Sequence, residues 1–142
     1  MNLERAQPFD LSEIQRLLIN DGLPIADLTI QSLDHFTVLR DGQRVVGVVG
    51  LEHRGVNVLL RSLVVSPDHR GHGFGLRLLM AAESQSRALG AQAIYLLTTS
   101  AAHFFSARGF HVVSRGEVPE EIRRTTEFSS LCPASATVMV KR

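Results

Sequence analysis

The chain of 142 residues is poor in cysteine, in net charge and in long apolar runs. Cys132 is the single cysteine, so no disulfide can form within the chain, and a reducing, cytoplasmic compartment is expected. The net charge of +1 lacks the basic excess that is typical of nucleic-acid-binding proteins. No run approaches the roughly 18–20 apolar residues that span a bilayer, and the N-terminus has no apolar signal region. We therefore expect a globular protein that engages neither nucleic acid nor membrane.

Lysine and tyrosine are equally scarce. Lys141 is the single lysine and Tyr95 the single tyrosine. A nucleotide-binding P-loop requires a lysine directly after its last glycine, so that motif is excluded. No group of histidine, cysteine and acidic residues has the spacing of a metal site, and we expect no metal.

Hydrophobic periodicity and turn residues predict one domain over residues 1–142 with the element order β-α-α-β-β-β-α-β-α-β-β. Asp10 and Glu13 have the spacing of a capping box at the first helix. A second, short helix is expected at 24–33, and a long one at about 73–89. This order describes an α+β fold, an α/β sandwich whose mixed central sheet is flanked by helices.

The segment 63–75, LVVSPDHRGHGFG, has the pattern of a strand, a loop and a helix start. Its glycines remove Cβ atoms where a ligand must approach the main chain. Free amides and the macrodipole at a helix start favour an anion, and an arginine adds a permanent positive charge. The alternative is a glycine-rich turn that only connects two elements. The segment predicts a diphosphate site at Arg70, Gly71, His72, Gly73, Phe74 and Gly75.

The spacing of the glycines distinguishes a dinucleotide site from other diphosphate sites. A dinucleotide site needs G-x-G-x-x-G inside a parallel βαβ unit, whereas here the glycines are two apart and the preceding strand belongs to a predicted antiparallel meander. The Arg-x-x-Gly-x-Gly pattern of Arg70, Gly73 and Gly75 resembles the acetyl-CoA signature of the GNAT superfamily of N-acetyltransferases. This resemblance implies acetyl-CoA as co-substrate and transfer of its acetyl group to an amine.

The same resemblance implies roles for residues beside the loop. The main chain of Val64 and Val65 would bind the pantetheine arm, and the amide near Val65 would polarise the acetyl carbonyl. Thr98 and Phe105 would lie against the cofactor, beside a slot where two strands splay apart. Many members of the superfamily have a tyrosine at the Phe105 position that protonates the leaving thiolate. Phenylalanine cannot do so, although a thiolate, with a thiol pKa of about 8.5, is a tolerable leaving group.

The strands beside the loop contain candidates for a general base and for a residue that binds the substrate. Glu52 is the candidate base, because a carboxylate inside a valine-rich strand is unusual unless it has a partner or a task. The alternative is an exposed residue at the strand end. Arg61, among leucines, is either exposed on the alternate face of its strand or directed at an anionic substrate group.

Two further resemblances indicate which amine accepts the acetyl group. Segments 60–65 (LRSLVV) and 103–110 (HFFSARGF) are similar to the acetyltransferase domain of N-acetylglutamate synthases. That similarity implies a glutamate carboxylate held by Arg61, with Ser135 assisting from the last strand.

The segment 119–136 resembles the small arsenic-resistance N-acetyltransferases, which implies an arsinothricin-like or phosphinothricin-like amino acid. Arg123 and Thr125 would then join the acceptor site. The alternative for Arg123 and Arg124 is a solvated turn.

These features predict direct acetyl transfer to the amine of a small anionic amino acid. Two alternatives remain: acetylation of a protein or peptide amine, and an acyl-CoA-binding sensor without turnover, which the missing tyrosine permits. The resemblance also leaves open a homodimer, because exchange of the last strand is common in this fold.

Overall fold

The computed structural model describes all 142 residues, and its centre is one seven-stranded mixed sheet. The strands are β1 (Asn2–Arg5), β2 (Phe36–Asp41), β3 (Arg44–Arg54), β4 (Asn57–Val65), β5 (Ala93–Thr98), β6 (His111–Val112) and β7 (Thr137–Lys141). Their order in the sheet is β1-β2-β3-β4-β5-β7-β6. The β4–β5 pair is parallel and the other pairs are antiparallel. The predicted α+β class with a mixed central sheet is confirmed.

Helices flank both faces of the sheet. The α-helices are α1 (Leu11–Asn20), α2 (Phe74–Ala88), α3 (Ala102–Ser106) and α4 (Glu120–Arg123). Single helical turns of other types lie at Pro8–Asp10, Gln31–His35, Pro67–His69, Arg115–Glu117 and Glu127–Leu131. None of the helices combines the length and the apolar character that a bilayer crossing requires.

The core consists of three apolar clusters against this sheet. Ile14 and Leu18 of α1 pack on one face, while Leu78 and Leu79 of α2 pack on the other. Ile122 of α4 belongs to a third cluster over β5 and β7. Because both faces of the central strands are covered, β3 and β4 read as nearly continuous apolar runs.

The predicted second helix at 24–33 is corrected by the structure. The only helical element near this range is the 3₁₀ turn Gln31–His35. Before it the chain forms isolated turns, such as the one closed by the amide of Leu28 donating to Ile25 at 2.9 Å. The carbonyl of Pro24 and the carboxylate of Asp27 instead accept hydrogen bonds from Arg61, so tertiary contacts override the helical tendency of this segment.

The predicted capping box of Asp10 and Glu13 does not form, and both carboxylates have other partners. The Asp10 carboxylate accepts the amide of Gln7 at 2.8 Å and two hydrogen bonds from the guanidinium of Arg40. Glu13 accepts the amide of Val45 at 2.7 Å instead of the amide of the cap residue. These two carboxylates therefore tie α1 to strands β2 and β3.

Candidate functional site

The loop between β4 and α2 presents a row of free backbone amides. The amides from Gly71 to Leu76 donate to no carbonyl, and the first intrahelical bond runs from Arg77 to Gly73. Gly71 and Gly73 have φ values of +83° and +78°, a conformation that favours glycine. A Cβ at either position would meet no atom within 4 Å, so this side of the loop is open. The loop, called the cradle below, therefore leaves its amides open at the start of a 15-residue helix, an arrangement that suits an anion.

Arg70 lies at the edge of this cradle with about half of its side chain exposed. Its Nε donates to the carbonyl of Val65 and its Nη2 to the carboxylate of Asp21, both at 3.0 Å. His72 is exposed and packs beside Phe74, with ring centroids 5.9 Å apart. An anion in the cradle would compete with Asp21 for the guanidinium.

Strands β4 and β5 are paired only where they begin. Asn57, Val58 and Leu59 pair with Ala93, Ile94 and Tyr95, and beyond these residues the two strands diverge. The amide of Ser66 donates to Val46 of β3 at 2.7 Å. Because main-chain groups alternate along a strand, the amide of Val65 points away from β3, into the gap beside β5. The structure thus contains the splayed slot that the sequence resemblance implied.

A β-bulge in β4 lies beside this slot. Ser62 has a φ of +61° and is the one non-glycine residue with positive φ, opposite a register shift near Val49. Bulges redirect side chains, and strained backbone often accompanies functional sites. Here the bulge buries the side chains of both Arg61 and Ser62, which are 3% and 8% exposed.

A pocket of about 600 Å³ follows the slot from the cradle to the end of the π-helical turn. The predicted residues that line it are Arg61, Val64, Val65, Arg70, Gly75, Thr98 and Phe105. The hydroxyl of Thr98 accepts the amide of Ala101 at 2.9 Å, which starts α3. Phe105 is buried edge-on between Phe104 and Phe110, with centroid distances of 5.2 and 5.5 Å.

Three residues predicted for the acceptor lie outside this pocket. Arg123 and Ser135 have exposed side chains. Thr125 is fully buried, and its hydroxyl donates to the carbonyl of Ile122 at 2.8 Å while accepting the amide of Phe128 at 3.3 Å. Thr125 therefore closes the end of α4, because a threonine hydroxyl readily satisfies main-chain groups at a helix end.

Arg61 has a set of partners that the sequence did not predict. Its Nη1 donates to Asp27 and to Glu52, the latter at 2.8 Å, and its Nη2 donates to Asp27 at 3.0 Å and to a main-chain carbonyl. Its Nε donates to the hydroxyl of Ser62 at 3.0 Å and lies 3.1 Å from Oε2 of Glu127. All five N–H groups are thus engaged. A substrate carboxylate can bind this guanidinium only by displacing one of these partners.

Glu52, the predicted base, faces away from the slot. Its carboxylate is shared between Arg61 at 2.8 Å and Arg54 at 2.9 Å. It lines a second, polar pocket of about 340 Å³ together with Asp27 and His53. No group of three or more histidine, cysteine, aspartate or glutamate side chains is arranged to hold a metal ion. The predicted base, Glu52, therefore lies outside the main pocket, and its carboxylate is bound by two guanidinium groups.

Glu127 lines the main pocket, and no motif in the sequence singles it out. Its side chain is 6% exposed and belongs to the π-helical turn before β7. Burial raises the pKa of Glu127 to about 7, with Arg61 opposing this rise and Asp27 and Glu52 adding to it. Burial together with Glu127 raises the pKa of the neighbouring Cys132 thiol to about 11, so that thiol is protonated at neutral pH. The pocket thus ends at a carboxylate that titrates near neutrality.

The sequence shows family relationships that agree with this geometry. The model of the acetyltransferase (GNAT) domain matches residues 32–112, which include β4, the cradle, β5 and α3. The amino-acid acetyltransferase of Ralstonia nicotianae is 40% identical over 62 residues, which cover 44% of this chain and 14% of that protein. The chain thus spans about one-seventh of the length of this relative.

Solved structures share the fold at low sequence identity. The N-acetylglutamate synthase from Neisseria gonorrhoeae, complexed with coenzyme A and N-acetyl-glutamate, has a TM-score of 0.86 at 23% identity, covering 99% of this chain and 34% of that one. A Mycobacterium tuberculosis protein in complex with CoA has a TM-score of 0.81 at 21% identity, covering 99% and 98%. These matches confirm the predicted architecture. Together with the family-model match over more than half of its length, they show that the chain belongs to the GNAT acetyltransferase domain family.

Proposed function

We propose that this protein transfers the acetyl group of acetyl-CoA directly to the amine of a small amino acid. The observation that carries the proposal is the continuity of the site. One pocket of about 600 Å³ runs from the cradle at Gly75 along the slot edge of β4 to Glu127. This shape suits a long ligand with a diphosphate in its middle and a reactive thioester at its end.

The residues of the cradle and the slot divide the binding of acetyl-CoA between them. The free amides from Gly71 to Gly75 bind the diphosphate at the positive end of α2, and Arg70 adds a charge-assisted hydrogen bond. The main chain of Val65 faces the slot and binds the pantetheine arm, while Val64, Thr98 and Phe105 line the pocket. His72 and Phe74 flank the cradle from outside the pocket.

The amide of Val65 supplies electrostatic stabilisation for the reaction. The acceptor nitrogen attacks the thioester carbonyl carbon, the C–N bond forms, and the C–S bond breaks. The developing oxyanion accepts a hydrogen bond from the Val65 amide, which faces the slot. The acceptor ammonium loses one proton before the attack and a second one as the amide forms. Because Phe105 cannot protonate the leaving sulfur, the thiolate takes this second proton, directly or through water.

We further propose that the acceptor is an anionic, glutamate-like amino acid of the arsinothricin or phosphinothricin type. The name of the Ralstonia relative, amino-acid acetyltransferase, supports an amino-acid acceptor, and the resemblance of segment 119–136 to arsenic-resistance enzymes supports the anionic type. Arg61 lines the pocket and is the anchor for the acceptor carboxylate, which has to displace one of its present partners because all five N–H groups are engaged. Arg123, Thr125 and Ser135 take no part, because they lie outside the pocket.

Release of free thiol from acetyl-CoA over an acceptor panel tests the proposal. The panel contains glutamate, phosphinothricin, arsinothricin, lysine and a short peptide. We expect the highest kcat/KM with an anionic amino acid. A preference for lysine or the peptide would contradict the anionic acceptor, while saturable acetyl-CoA binding without thiol release would identify an acyl-CoA sensor.

A further inference from the structure

The group that removes a proton from the acceptor amine is a separate question from the transfer itself. We infer that Glu127 receives the acceptor's ammonium group and takes its proton before attack on the thioester. The inference rests on the proposed acetyl transfer to an amine. It assigns the base to the π-helical turn before β7 rather than to Glu52 on β3.

The placement of Glu127 is the first argument. Its side chain is 94% buried, and it lines the same pocket as Val65 and Gly75. Glu52 lines the other pocket, on the far side of Arg61. Among the acidic residues that contact Arg61, Glu127 is therefore the one that shares a pocket with the slot.

The hydrogen bonding of the three carboxylates around Arg61 is the second argument. Asp27 receives two donors from the guanidinium, and Glu52 receives one from Arg61 and one from Arg54. Glu127 has two weaker donors: the Nε of Arg61 at 3.1 Å, which is also directed at a serine hydroxyl, and the thiol of Cys132. A buried carboxylate with so few donors keeps oxygen lone pairs available for a further cation.

The charge balance of the cluster indicates which cation fits. One buried guanidinium faces Asp27, Glu52 and Glu127, so the group carries excess negative charge when all three are ionised. A primary ammonium group offers three donors and one positive charge in a small volume. It therefore compensates the excess charge at the one carboxylate that opens into the slot.

The titration of Glu127 is consistent with proton uptake near neutral pH. The groups that face it are Arg61 from β4, Asp27 from the segment after α1, Glu52 from β3 and the thiol of Cys132. Burial outweighs the arginine and raises the pKa of Glu127 to about 7. A general base works best when its pKa lies near the operating pH.

The proton balance of the step is complete. Glu127 takes one proton from the ammonium, which leaves a neutral amine to attack the carbonyl carbon. A second proton leaves the nitrogen as the amide forms, and the departing thiolate takes it. Glu127 then returns its proton to water, so each turnover releases one proton and one free thiol.

The test compares Glu127→Gln with wild type in thiol release and in acetyl-CoA binding. We expect kcat to fall by about 100-fold or more while the Kd for acetyl-CoA changes little, because general-base catalysis contributes at least that much. Glu120→Gln is the matched control, since Glu120 is exposed and pairs only with Arg124. We expect Glu52→Gln to lower kcat less than Glu127→Gln does. A Glu127→Gln enzyme that binds acetyl-CoA and keeps wild-type kcat would overturn the inference.

The pH profile of the wild-type enzyme provides a second readout that needs no variant. We expect kcat/KM to rise with pH through an apparent pKa of about 7, the value to which burial raises Glu127. An acidic limb centred near the ordinary carboxylate pKa would contradict the inference even if Glu127→Gln did not fold. A wild-type enzyme that binds acetyl-CoA but acetylates no amine would instead refute the proposed function, and the inference with it.

Discussion

The Nε atom of Arg61 lies 3.1 Å from Oε2 of Glu127, and the two side chains are only 2% and 6% exposed. This contact joins the bulge of β4 to the turn that precedes β7. It places a permanent positive charge behind the one carboxylate of the cluster that opens into the acetyl-CoA slot. The bulged strand and the Glu127 end of the pocket are therefore joined through one arginine.

Replacement of Arg61 by methionine should destabilise the protein strongly. The substitution leaves the carboxylates of Asp27, Glu52 and Glu127 without their common cation, and removing one partner of a buried ion pair typically costs about 3–5 kcal/mol. Urea unfolding at neutral pH measures this loss. Because protonation relieves the repulsion among the carboxylates, the difference from wild type should shrink as the pH falls.

Arg54→Met is the matched control for this prediction. Arg54 contacts Glu52 at 2.9 Å, but its side chain is 44% exposed, and exposed ion pairs contribute about 1 kcal/mol or less. Equal losses in the two variants would contradict the central position of Arg61 in the cluster.

The stability of wild type relative to Glu127→Gln should depend on pH. The folded state raises the pKa of Glu127 from its usual 4.5 to about 7, so the folded state binds more protons than the unfolded state within this window. The contribution of Glu127 is therefore fully present below 4.5 and is lost as the pH rises to about 7. Unfolding free energies measured across the window should show this decline. A difference that is constant with pH would contradict the raised pKa.

A methyl group at Gly73 should weaken acetyl-CoA binding as well as the fold. Gly73 has a φ of +78°, and Gly90, at the other end of α2, has a φ of +76°. An alanine in this conformation costs about 1–2 kcal/mol at either site. Only Gly73→Ala changes the cradle. We therefore expect the Kd of this variant for acetyl-CoA to rise about tenfold or more, equivalent to about 1.4 kcal/mol. Calorimetry on both variants checks this, and equal affinities would argue against the cradle.

Removal of the negative charge at Asp21 should tighten acetyl-CoA binding. Asp21 holds Nη2 of Arg70 at 3.0 Å, in competition with a diphosphate. The pair is exposed, and such pairs contribute about 0.2–1 kcal/mol, so Asp21→Asn should lower the Kd up to about fivefold. The gain should diminish at high salt, where exposed charges are screened. Asp34→Asn, which changes a residue of the second pocket, should leave the Kd unchanged.

The cradle could be predicted from the sequence because its physics is local. Consecutive residues from Arg70 to Gly75 contain the arginine, the glycines and the helix start, and helix α2 begins within a residue of the expected position. The two-residue turn of Gly42 and Gln43 between β2 and β3 is likewise a local feature, because an Asp-Gly pair is typical of hairpins. Turn chemistry and periodicity are sufficient for such features.

The partners of Arg61 could not be predicted, because they come from distant parts of the chain. Asp27 lies in a segment that was expected to be helical, and Glu127 lies in a π-helical turn without any capping or periodic signal. Thr125 was expected in the acceptor site for its hydrogen-bonding capacity, which α4 uses for its own end. Long-range ion pairs decide this part of the site, and a single sequence contains no direct record of them.

The most direct test of the account is to measure thiol release and N-acetylated product in one reaction. Purified protein is incubated with acetyl-CoA and an anionic amino acid, and both products are quantified by mass spectrometry and thiol titration. The account predicts one N-acetyl amino acid for each free thiol, with both products lost together in Glu127→Gln. Saturable acetyl-CoA binding without any N-acetylated product would contradict it.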